Sequence, residues 1–592
     1  MSDDLIKKLD DLVKKRPWYE LPRLLAEGQL VQIRNELREK NLYDTEEPPE
    51  PRQEIPANLD PALREERTID GTYNDLHYPK MGACMRRFGR NFPLEETRPD
   101  TANLLVPNPR LVSRELMTRD TFQPATILNL LAAAWIQFMV HDWFVHKRSD
   151  TEFAEIPTVQ GDDFGAPGIR VPRSVPESAP AGSKRPPTYA NPNSHWWDAS
   201  QIYGSDPLVA KKVRTGIGGK LRIEPTGLLP VDPDTGVHFS GFTDNWWIGL
   251  AMLHTLFTLE HNYVCDLLAH QYPAWDDTQL FRKARLINSA LLAKIHTIEW
   301  TPAILPHPVI QRAMHVNWSG LSGEDLQEAL MILDESELLG GIVGSHADHH
   351  SAPYSLTEEF VAVYRMHPLI PDEVSFHSLA TGGLLETCPF NELALRRTPS
   401  VTERITMPDL FYSFGTCHPG AVRLHNYPRH LQNLQLDNGE HLDLAAVDIF
   451  RDRERGVPRY NQFRRLLHKG PARSFDELTD NVEWRKQLKA VYGDIEKVDL
   501  MTGLYAEPLP AGFGFSETAF RVFVLMASRR LKSDRFFTDD WRPEIYTEFG
   551  LDYIRKNSML SILRRHYPHL DPALAGVTNA FQPWKKIEGP VA

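Results

Sequence analysis

Cysteine is scarce in this chain of 592 residues: Cys84, Cys265, Cys388 and Cys417 lie far apart and form no CxxC pair. That excludes a disulfide scaffold or a structural zinc module and suits a reducing compartment. An excess of basic charge is also missing. Lys and Arg number 66 against 79 Asp and Glu, a net charge of −13, so nucleic acid and anionic membranes are poor general partners. The opening MSDDLIKKLDDLVKK alternates charges where a secretory signal needs an apolar run. One stretch, 121–140, carries no formal charge, but it contains Gln123, Pro124, Asn129 and Gln137 and ends in His141-Asp142. A buried helix is expected there rather than a membrane span. Internal repeats are absent and strand signals are few and short. The expectation is a cytoplasmic protein without a transmembrane span.

Apolar residues make up 41% and charged residues 24%, which is enough apolar surface to build a large core. Length alone suggests about four domain-sized units. No second linker divides the chain, however, so one large, mainly helical body is expected. Helical patterning covers 124–147, 244–270, 278–301, 325–338, 356–366 and 515–532. Residues 1–66 read as a helical arm followed by a Pro- and acid-rich connector (44–66), and 67–592 as the main body. Leu5, Leu9, Leu12, Leu21, Leu24 and Leu25 give the arm an apolar stripe. It can pack on the body or, with Trp18 and Tyr19 as interface residues, make a peripheral membrane contact. The Pro/Gly/Ser-rich stretch 152–195 reads as a long functional loop.

Three segments carry candidate chemistry. In Gln137-Phe-Met-Val-His141-Asp142-Trp143, Gln137 and His141 share a helical face while Asp142 points about 100° away. Alone, such a histidine is more often a satisfied core residue than a catalyst. In Tyr364-Arg-Met-His367-Pro, Tyr364 and His367 fall three apart on one face just before prolines end the helix. They can be a redox phenol and a metal ligand, or two packed side chains. In Ser194-His-Trp196-Trp-Asp198-Ala-Ser200, alternate oxygens (the Trp196 carbonyl included) could surround calcium if another carboxylate joins them. Otherwise the segment is a Ser/Asp turn beside aromatic packing.

Together these segments resemble a known family. QFMVHDW, the SxWxDxS loop with WWDASQIYG, HTLFTLEHN, YRMH and RDRERGVPRYN are similar to motifs of the animal-type haem peroxidases, cyclooxygenases included. AAAWIQFMVHDW, AKIHTIEWT, VYRMHPLIPD and MASRRLKSDRFFT resemble, more closely, the fatty-acid α-dioxygenases. The resemblance runs collinearly over roughly residues 40 to 585. It implies a mainly α, cyclooxygenase-like fold, noncovalent haem b and calcium. It makes His141, beside Gln137, the distal histidine, and His367 the proximal iron ligand. Asp142 joins Ser194, Trp196, Asp198 and Ser200 at calcium. Arg451 pairs with a haem propionate, and Asp448 bonds the proximal histidine.

The same resemblance assigns the substrate end. Tyr364 becomes the radical-forming tyrosine, and His296 and Thr301 contact the fatty-acid carboxylate. One of the pair Arg529-Arg530 completes that site, with Arg530 preferred, through a bidentate fork. The implied reaction adds O₂ to the α-carbon of a long-chain fatty acid, with H₂O₂ as activator. The alternative is a peroxidase that oxidises small reducing substrates on the same haem. A non-enzymatic haem or lipid carrier fits less well, because it has no need of a redox tyrosine.

Overall fold

The computed structural model describes residues 16–180, 182–320, 341–436 and 439–588. The expected helix over 325–338 lies outside these residues, as do Leu5, Leu9 and Leu12. Nine of the helices frame the site: α1 (Arg23–Lys40), α2 (Leu130–Trp143), α3 (Ile248–Gln271), α4 (Asp277–Ile295), α5 (Pro308–Ser319), α6 (Glu358–Val363), α7 (Leu444–Glu454), α8 (Glu517–Ser533) and α9 (Met559–His566). One continuous apolar core joins them, from Trp18 near the start of the described chain to Trp584 near its end. Strands occur as three antiparallel pairs: β1 (Arg148–Pro157) with β2 (Gly168–Ser174), β3 (Glu373–His377) with β4 (Leu384–Pro389), and β5 (Leu434–Gln435) with β6 (His441–Leu442).

Helix α2 is the expected buried helix, but it is shorter than its apolar patterning. Asn129 caps it by accepting from the Ala132 N–H at 3.2 Å, a good N-cap residue in extended backbone, while Pro124 pairs with Gly420 in a bridge outside the helix. Twelve of its fourteen residues are buried, so it reads as apolar on nearly every face. No helix among the described residues is long and apolar enough to cross a membrane.

Two sequence expectations change. The first concerns 152–195, which is not wholly loop: β1 and β2 form a hairpin whose Ile156, Ile169 and Val171 pack with Leu442 and Phe450 into a satellite core. The second concerns Trp18, which is 2% exposed and donates from Nε1 to Glu517 Oε1 at 3.3 Å. It lies among His307, Phe513 and Phe520. Burial of the indole in the body removes it as a membrane-interface residue and anchors the arm against α8.

Helix α4 ends in a single wide turn, His296–Trp300, in which the Thr301 N–H reaches back to the His296 carbonyl. Such π-type turns are rare and recur at functional sites. Helix α6 stops at Val363, three residues short of the expected end: Tyr364 takes φ −87°, ψ 9°, and His367 starts a separate short turn. Met366, at φ −107° and ψ 33°, is the second residue outside helical geometry. Tyr364 and His367 therefore do not share a helical face, and this break lets neighbouring residues serve different surroundings.

Candidate active site

On the first side of the break, His367 Nδ1 sits 2.9 Å from Asp448 Oδ2 on α7. Asp448 also receives Arg365 Nη1 at 2.5 Å and the Tyr427 hydroxyl at 3.1 Å. Burial works to raise the Asp448 carboxyl, but Arg365 and then His367 outweigh it and hold the group below its ordinary range. The His367 side chain is 33% exposed although its Nδ1 is buried, so the exposure falls on the remainder of the ring. One nitrogen fixed by a carboxylate and the other free is the arrangement of an axial metal ligand. The donor chemistry at His367 fits a haem iron.

His141 is 5% exposed, packs edge-on against Phe242 at 4.9 Å, and has a buried Nδ1 with no hydrogen-bond partner. Burial lowers its pKa to about 3, which keeps the imidazole neutral at pH 7. Gln137, one turn earlier, accepts from Trp247 Nε1 at 2.7 Å and donates to the Asn245 carbonyl at 3.2 Å. The Arg451 guanidinium is engaged by neighbouring protein groups. Its Nη1 lies 2.5 Å from Glu454 and it also bonds the Pro172 carbonyl and Ser174. Glu454 and the β2 backbone thus share these donors.

The loop at 191–200 is stitched to the end of α2. Asn193 and Asn191 donate to the carbonyls of His141 and Trp143, each at 2.8 Å, and Asp142 Oδ1 accepts the Ser200 N–H at 2.5 Å. Ala199, at φ +55°, turns the chain between Asp198 and Ser200 in the left-handed region, where strain often marks a site. Ser194 Oγ donates to Asp198 Oδ2 at 2.5 Å, and Arg67 Nη1 lies 3.1 Å from Asp198 Oδ1. The Trp196 ring stacks on Tyr354. Burial raises the Asp142 carboxyl to about 7, against the pull of Arg530 and the Ser200 N–H and with Asp198 adding to the rise. Ser200 Oγ is buried without a partner. Two crowded carboxylates and an orphaned hydroxyl fit a hard cation. Among the described residues no cluster of three His, Cys, Asp or Glu exists, so serine and carbonyl oxygens would have to complete the shell.

On the other side of the break lies a narrow cavity, about 10 Å³ in volume, lined by Tyr364, His296, Thr301, Arg530, Trp143 and Trp197 among others. Tyr364 is 7% exposed, with Trp143, Phe360 and Phe523 rings at 5.3, 4.6 and 6.3 Å. Burial pushes its phenol far above the ordinary range, with only Arg530 opposing. His296 stacks on Trp300 at 4.8 Å, and its Nδ1 accepts from Trp135 Nε1 at 3.3 Å. Burial and then the Arg530 charge hold it well below its usual pKa, so a single proton sits on Nε2, which is a donor.

Three details refine the sequence reading. Thr301 lines the cavity, and its hydroxyl donates to the His296 carbonyl at 2.9 Å, which ties it to the wide turn. Arg529 faces away: its donors reach the carbonyls of Ser355, Ala352 and Pro353 at 3.2, 2.8 and 2.8 Å. Adjacent arginines diverge by about 100° on a helix, and Arg530 is the one in the cavity. Its Nε and Nη2 are buried without hydrogen-bond partners. The sequence reading also missed Trp143 and Trp197, whose rings flank Arg530 at 4.4 and 3.9 Å. Their only signal was position, each beside a carboxylate in HDW and WWD.

Residues 66–578 match the animal haem peroxidase family. The tobacco α-dioxygenase PIOX is 38% identical over 97% of this chain and 90% of its own. A tyrosine-to-phenylalanine variant of rice fatty acid α-dioxygenase, solved with palmitic acid, superposes with a TM-score of 0.89 at 35% identity. That match covers 99% of this chain and 98% of the rice chain. The Arabidopsis fatty acid α-dioxygenase structure gives the same TM-score and identity over 100% of this chain and 94% of its own. With its helical core, its histidine-carboxylate pair and its buried tyrosine beside an unpaired arginine, the chain belongs to the animal haem peroxidase family, in its α-dioxygenase group.

Proposed function

We propose that the protein is a haem-dependent fatty-acid α-dioxygenase, which adds O₂ to the α-carbon of a long-chain fatty acid and yields the 2-hydroperoxy acid. The observation that carries this reading is the cavity, where a buried tyrosine, a neutral histidine donor and an arginine lacking any carboxylate meet. The rice relative crystallised with palmitic acid supports a long acyl chain as substrate.

His367, braced by Asp448, would hold haem b, which when bound supplies the oxidising equivalent after activation by H₂O₂. His141 is neutral and buried, with Gln137 beside it, and would take a proton from peroxide. Tyr364 loses an electron and its proton to become a phenoxyl. A neutral radical suits its apolar cage, whereas the phenolate would not. Arg530 and the His296 Nε2–H hold the carboxylate, which sets the α-carbon beside the tyrosine oxygen. The phenoxyl takes one α-hydrogen, O₂ adds to the carbon radical, and the peroxyl recovers a hydrogen atom from Tyr364. Atoms balance as fatty acid plus O₂ giving one hydroperoxy acid. A calcium ion at Asp142, Ser194, the Trp196 carbonyl, Asp198 and Ser200 would brace the loop against α2.

The test is oxygen uptake with palmitate and no added electron donor, with product mass measured afterwards. The expected product is palmitate plus one O₂. Turnover only with a reducing co-substrate would indicate a simple peroxidase. His367→Ala should abolish the Soret band, and a full haem complement in that variant would remove His367 as the ligand.

A further inference from the structure

The Arg530 guanidinium is held in an unusual way. The residue is 1% exposed, yet among the described residues no carboxylate lies within ion-pair distance, and its Nε and Nη2 have no partner. Other buried arginines of this protein have oxygen acceptors: Arg67 is neutralised by Asp198 and Asp534 at 3.1 and 2.9 Å, and Arg529 bonds backbone carbonyls. Arg530 instead has the Trp197 ring at 3.9 Å and the Trp143 ring at 4.4 Å, with the Tyr354 hydroxyl as a neutral polar neighbour. The two indoles meet at 86° with centroids 5.5 Å apart, forming a corner.

We propose that Trp143 and Trp197 are positioning residues for carboxylate recognition, holding the Arg530 guanidinium in the cavity without neutralising it. The inference rests on the fatty-acid reading above. A carboxylate beside Arg530 would quench the charge and compete with an incoming anion. A π face attracts a cation through its quadrupole and carries no net charge to compete. The corner is itself rigid. Trp143 ends α2, and Asn191 donates to its carbonyl at 2.8 Å. Trp197 precedes Asp198, whose carboxylate is fixed by Arg67 and Ser194. The guanidinium thus meets a carboxylate already oriented, and less of the binding free energy goes to ordering it.

The test measures equilibrium binding of palmitate and of its neutral analogue hexadecanol to haem-loaded protein in a Tyr364→Phe background, where oxygenation of the fatty acid should not occur. Trp197→Leu should raise the palmitate Kd about tenfold, and Trp197→Phe by less, on the scale of a desolvated cation–π contact. The hexadecanol Kd should stay within about twofold, because the contribution is to charge recognition. In an Arg530→Gln background Trp197→Leu should add nothing, the signature of two residues acting as one unit. Equal losses for both ligands, or losses that add in the Arg530→Gln background, overturn the inference and make the indole mere packing. Trp197→Phe keeps a ring in place and decides the matter if the leucine variant does not fold. Failure of the parent to bind palmitate removes the fatty-acid reading, and this inference with it.

Discussion

Phenylalanine at Tyr364 keeps the ring contacts with Trp143, Phe360 and Phe523 and deletes only the oxygen. The haem spectrum and peroxidase turnover of Tyr364→Phe should therefore survive, while oxygen uptake with palmitate stops. A variant that still forms the 2-hydroperoxy acid at the parental rate would falsify the radical role. Arg530→Ala differs in kind: the KM for fatty acid should rise, with a loss on the order of 2–5 kcal/mol for a desolvated charge-assisted pair. Oxidation of a small peroxidase substrate should be largely spared. Equal losses on both would point to damaged haem binding instead. At this scale the sequence was informative about residue type and poor about partners. The spacing of Tyr364 and His367 was visible, but the break that separates their surroundings depends on backbone angles at 364 and 366. The partners of Arg451, which are Glu454 and the Pro172 carbonyl, were not legible. The second of these lies 279 residues away in the chain, on a hairpin that the patterning did not reveal.

Helix α8 shows how one element carries two arginines to opposite ends. Arg529 fastens the 349–355 segment through four carbonyls, whereas Arg530 enters the cavity. Arg529→Leu should cost on the order of 2–3 kcal/mol of stability, as hydrogen bonds to a charged donor are lost and buried carbonyls are left unpaired. Its KM for fatty acid should stay near the parental value once the protein is folded. A raised KM at unchanged thermal stability would reverse the two roles. The junction of α2 with the 191–200 loop offers a second test at this scale. Calcium is expected in the purified protein, and Asp142→Ala should remove it and lower the thermal midpoint. An unchanged midpoint with no calcium in the parent would dismiss the cation. Helix existence was legible from apolar periodicity, but helix ends were not. Asn129, the backbone angles at Tyr364 and Met366, and the wide turn after Ile295 decide those ends through capping and backbone geometry.

Across the whole molecule, buried titratable groups link distant parts of the chain and give stability a pH dependence. Glu299 joins the 296–300 turn to the start of α9 by accepting the Met559 N–H at 3.2 and 3.1 Å, and its carbonyl receives Asn579 Nδ2 at 2.8 Å. Burial raises its carboxyl to about 7, opposed by the Met559 N–H and Lys294. A carboxyl whose folded pKa is raised stabilises the fold at low pH, and that contribution is lost as pH rises. The window runs from the ordinary carboxylate range to about pH 7. Glu299→Gln keeps an acceptor for Met559 and cannot ionise, so it should flatten this loss. Relative to the parent, it should be more stable at pH 8 than at pH 5 by up to about 3 kcal/mol. Thermal midpoints at the two pH values measure it, and parallel shifts of parent and variant would exclude Glu299 as the titrating group. The single helical body was foreseeable because no second linker interrupts the apolar segments. The packing of Trp18 against α8 was not, because an amphipathic arm has the same pattern whether it meets protein or lipid.

The wide turn at 296–300 makes chain length a functional quantity in one short stretch. A regular helix closes each hydrogen bond over four residues, whereas here the Thr301 N–H and hydroxyl both return to the His296 carbonyl, five residues back. Deleting one residue inside that turn would restore ordinary helical closure and rotate Thr301 and its successors by about 100° relative to α4. His296 and Thr301 would then no longer line one cavity, although every remaining side chain was unchanged. Insertions and deletions in an exposed loop are cheap by comparison. In homologues of this protein, then, a one-residue gap between the two positions should track a change of substrate chemistry more closely than many substitutions on the surface.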